Sequence, residues 1–448
     1  MRRADQLLAF VLALAFVAAG AKTLLRAPPA DYAFQPTAYK SFPLSDVVAA
    51  PAAAMPVSTP ALSSPSLQYD AHFVSALPGQ SVHAATLVEL NNGNLRAVWF
   101  SGSREGAGDV TIQTAVLDTT AMQWGAEKTL LERHQIERDL WRYVKKIGNP
   151  VIGRAPDGSL YLWMVTVSLG GWAGSSISYM RSVDDGLSWS PMRRLVTSPF
   201  LNISTLVKGN PVALENGQIA LPVYHEFATK FAEVLRLDAN GQVLDKLRIP
   251  NSQTDLQPVL LPADEQNAQI FMRSGQAQSV MRSATVDGGK HWSPAEPIAW
   301  HNPDSALAGV TARDGTSWLA LNTQQNTRQV LDLISAGKGA SFDAARPMTV
   351  ETSPTPGQLL SIEAYENLLS KELLAAGANA AQTAEYVASA RRQLCGVKAC
   401  SLEYSYPYLL QSRDGYMHLI YTWHRSRIKY LRFDPLKPLA DTHVPTAH

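Results

Sequence analysis

Cysteine is nearly missing from this 448-residue chain, which has only Cys395 and Cys400. A cysteine-rich metal module and a many-bridged secreted scaffold are thereby excluded. Charge of one sign is missing as well. Lys and Arg number 39 against 38 Asp and Glu, for a net charge of +1, so there is no electrostatic footprint for nucleic acid. The chain has no phosphate-cradling glycine loop, dinucleotide fingerprint, His-Glu-x-x-His zinc motif or nucleophile elbow, and nothing calls for a cofactor.

Long apolar runs are also scarce, apart from one at the start. In MRRADQLLAFVLALAFVAAGAKTLL two arginines precede about fourteen apolar or small residues, Leu7 to Gly20. That is short for a membrane span and suits a signal h-region. Val17-Ala18-Ala19-Gly20-Ala21 offers small residues for cleavage, and slightly extended, over residues 5–25, the run serves as an uncleaved anchor. Residues 1–26 are read as a signal peptide or a signal anchor. Both outcomes export the bulk of the chain to the periplasm or beyond, and the second associates it with the inner membrane. Residues 27–66, rich in Pro, Ala and Ser without periodicity, read as a tether, and 438–448 as a tail.

What is present is a repeat. Six times an apolar run opened by a polar residue meets an Asn-Gly or Asp-Gly type turn, and a second apolar run follows and ends in polar residues. The copies start at His83, Asn149, Asn210, Gln257, Ser305 and Tyr406. Such turns between β-rich runs signal hairpins, because type I′ geometry needs positive φ at both central residues. Six hairpins imply blades. The expectation is an all-β chain folded as one six-bladed β-propeller over about 67–437, with 67–80 closing the ring against the last blade. The six opening residues should form a polar ring at one end of the channel. Before the last blade, GQLLSIEAYENLLSKELLAAGANAAQTAEYVASARRQL predicts two helices within a small insertion at about 357–400, broken at Gly377 with Asn379 as N-cap. The insertion is either a wall over the site or a packing element. In CGVKAC a local disulfide is the natural reading for an exported chain, since no neighbouring His or second Cys pair supports a metal.

Two segments match Ser/Thr-x-Asp-x-Gly-x-x-Trp, namely Ser182–Trp189 and Thr285–Trp292. Their Asp and Ser/Thr side chains can bond turn amides while Trp packs between strands, so Asp184 and Asp287 are read as structural. Two such Asp-boxes on alternating blades resemble the sialidase superfamily, in its BNR-repeat, exo-α-sialidase-like (neuraminidase-like) branch, over about residues 67–437. The resemblance implies an arginine triad for a substrate carboxylate, a tyrosine nucleophile paired with Glu, and an Asp acid/base. Carried over by position, His83 stands where the first triad arginine is expected. Arg104 and Asp109 follow, with Asp109 as acid/base. Gln257 replaces the family's Glu, and Arg273 and Arg328 match the remaining arginines. Tyr404 matches the family's Tyr-Ser dipeptide, whereas counting from the Asp-Gly turn selects Tyr406.

Two departures touch the chemistry. Histidine cannot fork a carboxylate as arginine does, and Gln cannot take a phenolic proton. Candidate carboxylates at strand ends and channel-side loops are Glu105, Asp109, Glu226, Asp304 and Glu403. Asp109 is either the acid or the cap of its own loop, and Glu105 is a substrate contact or an ion-pair partner of Arg104. Glu226 is base or nucleophile, unless His225-Glu226 is a buried hydrogen-bonded pair. Arg425 restores carboxylate binding or is a surface residue. Asn149, Asn210 and Asn322 are read as neutral sugar contacts, with strand-start bonding as the competing use of the first two. Two functions follow: a glycoside hydrolase cleaving a terminal, acidic sugar from a glycan, or a non-catalytic glycan-binding propeller.

Overall fold

In the computed structural model, residues 2–24, 33–35, 69–198 and 202–436 are described. The expected tail, and the tether apart from residues 33–35, fall outside them. Six antiparallel sheets of four or five strands follow one another along the chain. Blade I is Ser81–Glu89, Leu95–Gly102 and Thr111–Asp118 with two short outer strands, Gln123–Trp124 and Lys128–Glu132; blade II runs from Lys146–Arg154 to Arg193–Arg194. Blade III has its innermost strand split into Leu206–Val207 and Val212–Ala213, followed by Ile219–Glu226, Lys230–Leu237 and Val243–Arg248. Blade IV runs from Asp255–Pro262 to Glu296–His301, and blade V from Ala308–Thr311 to Met348–Thr352. Blade VI takes Tyr404–Gln411, Met417–Trp423 and Arg427–Phe433 from the end of the chain. Its fourth strand is Asp70–Phe73, paired antiparallel with Arg427–Phe433 from Asp70 against Arg432 to Phe73 against Lys429. The ring is thus closed by joining its two ends.

The second strand of each blade is buried on both faces, because neighbouring blades pack against it. Leu160–Val167 (LYLWMVTV) is buried throughout, a continuous apolar run rather than an alternating one. The core is accordingly a set of layers between blades. Trp163 and Val165 of blade II pack with Leu221 and Val223 of blade III, and Trp99 of blade I packs with Tyr408 and Ile420 of blade VI. The hairpin turns use glycine where left-handed backbone is required, as at Gly158 (φ 87°) and Gly415 (φ 93°). The fourth repeat has no glycine there; instead the Asp264 carboxylate accepts from the backbone of Gln266 and Asn267.

Ile362–Ala375 and Ala380–Leu394 are helices, with Gly377 at φ 88° between them and a reciprocal capping box joining Asn379 and Gln382. Their apolar faces, including Tyr365, Leu369, Tyr386 and Ala390, join the core between blades V and VI. Tyr386 donates to Ala76 O (2.8 Å), and Arg427 lies between the Phe73 and Tyr386 rings, at 4.3 and 4.2 Å. The insertion is built as a packing element. Cys395 and Cys400 are joined as a disulfide at its end.

Candidate active site

The site is made by bulges. Near the start of the innermost strand, register shifts between His83 and Thr86, Gly148 and Val151, Leu256 and Val259, and Ser405 and Tyr408. At each, one non-glycine residue takes left-handed backbone: Ala84 (56°), Asn149 (45°), Gln257 (50°) and Tyr406 (53°). In three of the four a proline follows, Pro150, Pro258 and Pro407, which cannot donate to the ladder and so suits an interruption of it. Left-handed backbone costs about 1–2 kcal/mol per L-residue, and a bulge re-aims the side chain it carries. Four blades therefore hold the same unfavourable conformation at the same end of the channel.

At that end Tyr406 is the hub. Its hydroxyl oxygen accepts from Gln257 Nε2 (3.1 Å) and Arg273 Nη1 (3.4 Å). Arg273 Nη1 also donates to Gln257 Oε1 (2.9 Å), and its Nε to Asp304 Oδ1 (2.6 Å). The Tyr224 hydroxyl accepts from Asn149 Nδ2 (3.2 Å) and Gln257 Nε2 (3.5 Å). Beside them Glu403 pairs with both Arg328 Nη1 (3.4 Å) and Arg425 Nε (3.0 Å), and Arg425 Nη1 reaches Glu105 Oε2 (3.2 Å). Arg425 O accepts from Val82 N (2.9 Å), so this arginine stands directly beside His83. Position 83 lacks a guanidinium, and the adjoining blade puts one next to it.

The electrostatics follow from this crowding. His83 is buried and held well below its ordinary pKa, first by burial and then by Arg425, Arg328, Lys208 and Arg273, so the imidazole is neutral. Its Nδ1 lies 2.9 Å from Thr422 Oγ1, its ring is 4.0 Å from that of Tyr406, and its Nε2 has no partner among the described residues. Burial raises Glu226, and Asp304 and Glu105 add to this while Lys230 and Arg273 oppose it. Burial also works to raise Glu403, but Arg425 and Arg328 outweigh it and the net shift is downward. Lys208, beneath the Tyr406 and Tyr408 rings (5.7 Å to each) and bonded to Pro407 O (3.2 Å), is brought down by burial to about 7.

The structure brings Gln257, Arg273, Arg328, Arg425, Tyr406, His83, Asn149, Glu105 and Glu226 to one mouth. The remaining candidates are not bonded into this network. Asp109 accepts from Ser103 N and Oγ, both at 3.0 Å, capping its own loop, and Arg104 is exposed with no side-chain hydrogen bond among the described residues. The Tyr404 ring is buried in the core between blades V and VI, so Tyr406 alone of the two tyrosines faces the mouth. Asn322 is fully buried, donating to Val330 O and Tyr404 O and accepting from Ser305 Oγ (2.6 Å), which takes both polar residues out of the ring. Asn210 donates to Leu409 O (3.0 Å). His225 pairs with Glu233 (2.7 Å) and stacks on Phe231, rather than pairing with Glu226. Tyr224 and Lys208 were not anticipated. Inward alternation along Pro222, Tyr224 and Glu226, and the lysine of KGNPV, were the signals available. Among the described residues no three His, Cys, Asp or Glu side chains group as a metal site.

Six blades, Asp-boxes, and a tyrosine set among arginines and carboxylates at the channel mouth define a sialidase-type propeller. The family model of the BNR repeat-like domain matches residues 93–419, and the chain belongs to that family. Its fold is shared with solved structures of low identity. The Hadza microbial sialidase Hz136 aligns with a TM-score of 0.58 at 11% identity, over 79% of this chain and 66% of that one. A protein of unknown function from Dyadobacter fermentans gives 0.60 at 11%, over 83% and 99%. The intramolecular trans-sialidase from Ruminococcus gnavus gives 0.55 at 12%, over 81% and 96%. No curated protein sequence matches this chain.

Proposed function

We propose that the protein is an exported glycoside hydrolase of sialidase type that removes a terminal acidic sugar from a glycan, with Tyr406 as nucleophile. The observation that carries this reading is the pair of N–H donors on the Tyr406 oxygen, one of them from the Arg273 guanidinium. A cationic donor at that atom favours the phenolate, whose proton passes to solvent because the Gln257 amide cannot take it, and stabilises the charge that returns there when the oxygen leaves the anomeric carbon. Arg273, Arg328 and Arg425 take the sugar's carboxylate, exchanging it for part of their present pairing with Asp304, Glu403 and Glu105. Glu226 is the proton donor to the leaving oxygen, because a carboxyl raised by burial keeps its proton nearer neutrality. Asp109 is the rival for that role.

A second reading rests on a specific feature. Position 257 is an amide that donates to Tyr406 instead of a carboxylate that would take its proton, and each arginine already holds an internal carboxylate. That arrangement favours a mouth that binds an acidic glycan without cleaving it. A panel of aryl glycosides of acidic sugars, offered to the full-length chain, separates the two. Release of the aryl alcohol, lost in Tyr406→Phe, is the expected result; saturable binding with no release from any member assigns the protein to glycan binding.

A further inference from the structure

Residues 33–35 lie far from the first blade in sequence, yet they are built into blades III and IV. Phe34 is 2% exposed and packs with Leu214, Leu260, Ala268 and Trp292. Its ring lies so close to Gly289 of the second Asp-box that a Cβ there would come within 3.2 Å. Phe34 N donates to Glu265 O (2.8 Å), Gln35 N to Ala213 O (3.0 Å), and Glu215 N to Ala33 O (3.1 Å). Leu214, Glu215 and Glu265 belong to turns that leave the innermost strands, whereas Gln257 and Tyr406 stand at the opposite ends of such strands. The eight residues of Asp255–Pro262 separate those ends by roughly 25 Å. Phe34 is therefore latched to the face turned away from the site.

The chain before the latch is short. Residues 25–32 join it to the helix Arg2–Leu24, and at most about 3.6 Å per residue limits their reach to roughly 30 Å. That helix is apolar all round: Leu7, Leu8, Phe10, Val11, Leu12, Leu14, Phe16 and Val17 are each more than half exposed. Its window Ala4–Ala21, 18 residues at a mean hydropathy of 1.9, is about 27 Å long, close to the hydrocarbon thickness of a bilayer.

We propose that the helix is retained as a membrane anchor and that the Phe34 latch holds the propeller with its turn face toward the bilayer and its mouth away from it. The substrates or ligands of the mouth are then glycans presented from outside, not headgroups of the anchoring membrane. This orientation stands whether the mouth cleaves or only binds, so its failure is distinguishable from that of the hydrolase reading.

The test uses the full-length chain in vesicles of phosphatidylethanolamine and phosphatidylglycerol carrying a headgroup-labelled acceptor lipid. Both native cysteines are in the disulfide, so single labels can be placed at Ala228→Cys, on the site face, and Ala239→Cys, on the turn face. These residues flank the strand Lys230–Leu237 and are both exposed. Energy transfer to the lipid is expected to be several-fold greater from position 239, and the difference should collapse in Phe34→Asp. It should also collapse when a long Gly-Ser segment is inserted within 25–32, a change that leaves the latch and the core intact. Equal transfer from the two positions, a difference that survives both changes, or a mature chain found by mass spectrometry to begin after residue 20 or 21 would overturn the proposal.

Discussion

The residues at the mouth are more tightly self-paired than a bare list of arginines suggests. Arg273, Arg328 and Arg425 meet Asp304, Glu403 and Glu105, so an entering carboxylate exchanges ion pairs rather than filling an empty cationic cleft. Such exchange demands geometry, which is why Tyr406, Gln257 and Asn149 are held at positive φ. Two carboxylates compete for the proton-donor role, and their variants distinguish them. Glu226→Gln should cut turnover of poor-leaving-group substrates by about 10²–10⁴ and spare aryl substrates that need little protonation. Asp109→Asn should change turnover little, because the Asp109 oxygens are occupied by Ser103. The reverse pattern, read from steady-state rates on both substrate types, would return the role to Asp109. Lys208 supplies a pH test. Its folded pKa, about 7, lies below the ordinary lysine value of 10.5. Between those values the unfolded chain binds a proton that the fold does not, so stability contributed by this group rises with pH from about 7 to about 10. Lys208→Met lacks that slope. Thermal midpoints of the parent chain should gain on the variant across this window; parallel curves would contradict the burial argument.

At the scale of elements, the innermost strand of blade III is the one that departs most from its counterparts, and Gly209 explains why. A Cβ at Gly209 would stand 2.1 Å from Pro258 O and 3.3 Å from Pro222 Cβ, so the split strand lies backbone to backbone against the bulge that carries Gln257. Gly209→Ala must push blades III and IV apart there. The expected loss is about 1–3 kcal/mol of stability, the range for overpacking, together with weaker ligand binding as Gln257 moves. Denaturant midpoints and ligand titration would show both, and an unchanged midpoint would mean that the strands are not in this contact. The same contrast shows what could be read in advance. Hairpins, Asp-box turns and the Asn379 cap all follow local rules of turn and cap chemistry, and these are written into neighbouring residues; the ring-closing strand follows instead from the count of blades, which leaves the last one short of a strand. The mouth follows rules that adjacency does not encode. The ring position in blade I falls on Ala84, one residue past His83, the guanidinium beside His83 comes from blade VI, and a loop aspartate placed by spacing bonds Ser103 of its own loop. Tyr404 and Tyr406 share one strand two positions apart, and only the bulge between Ser405 and Tyr408 separates their fates.

On the scale of the whole molecule, radial repetition converts six unremarkable hairpins into one rigid rim. The blades are cemented by the layers between them, and the ring is locked by pairing residues 70–73 with the final strand. No single blade supplies the mouth. Tyr406 is on blade VI, its two donors on blade IV and its neighbour His83 on blade I, so the chemistry exists only in the closed ring. The most direct measurement is therefore capture of the covalent step at Tyr406. The full-length chain would be incubated with a difluorinated acidic sugar, whose anomeric fluoride leaves readily and whose neighbouring fluorine slows hydrolysis of a glycosyl-enzyme, and then analysed by intact and peptide mass spectrometry. A gain of one sugar residue on the peptide that contains Tyr406, absent in Tyr406→Phe, is the expected result. An adduct on any other residue would contradict the assignment of the nucleophile, and no adduct with no turnover, while the acidic sugar still binds, would contradict hydrolysis itself.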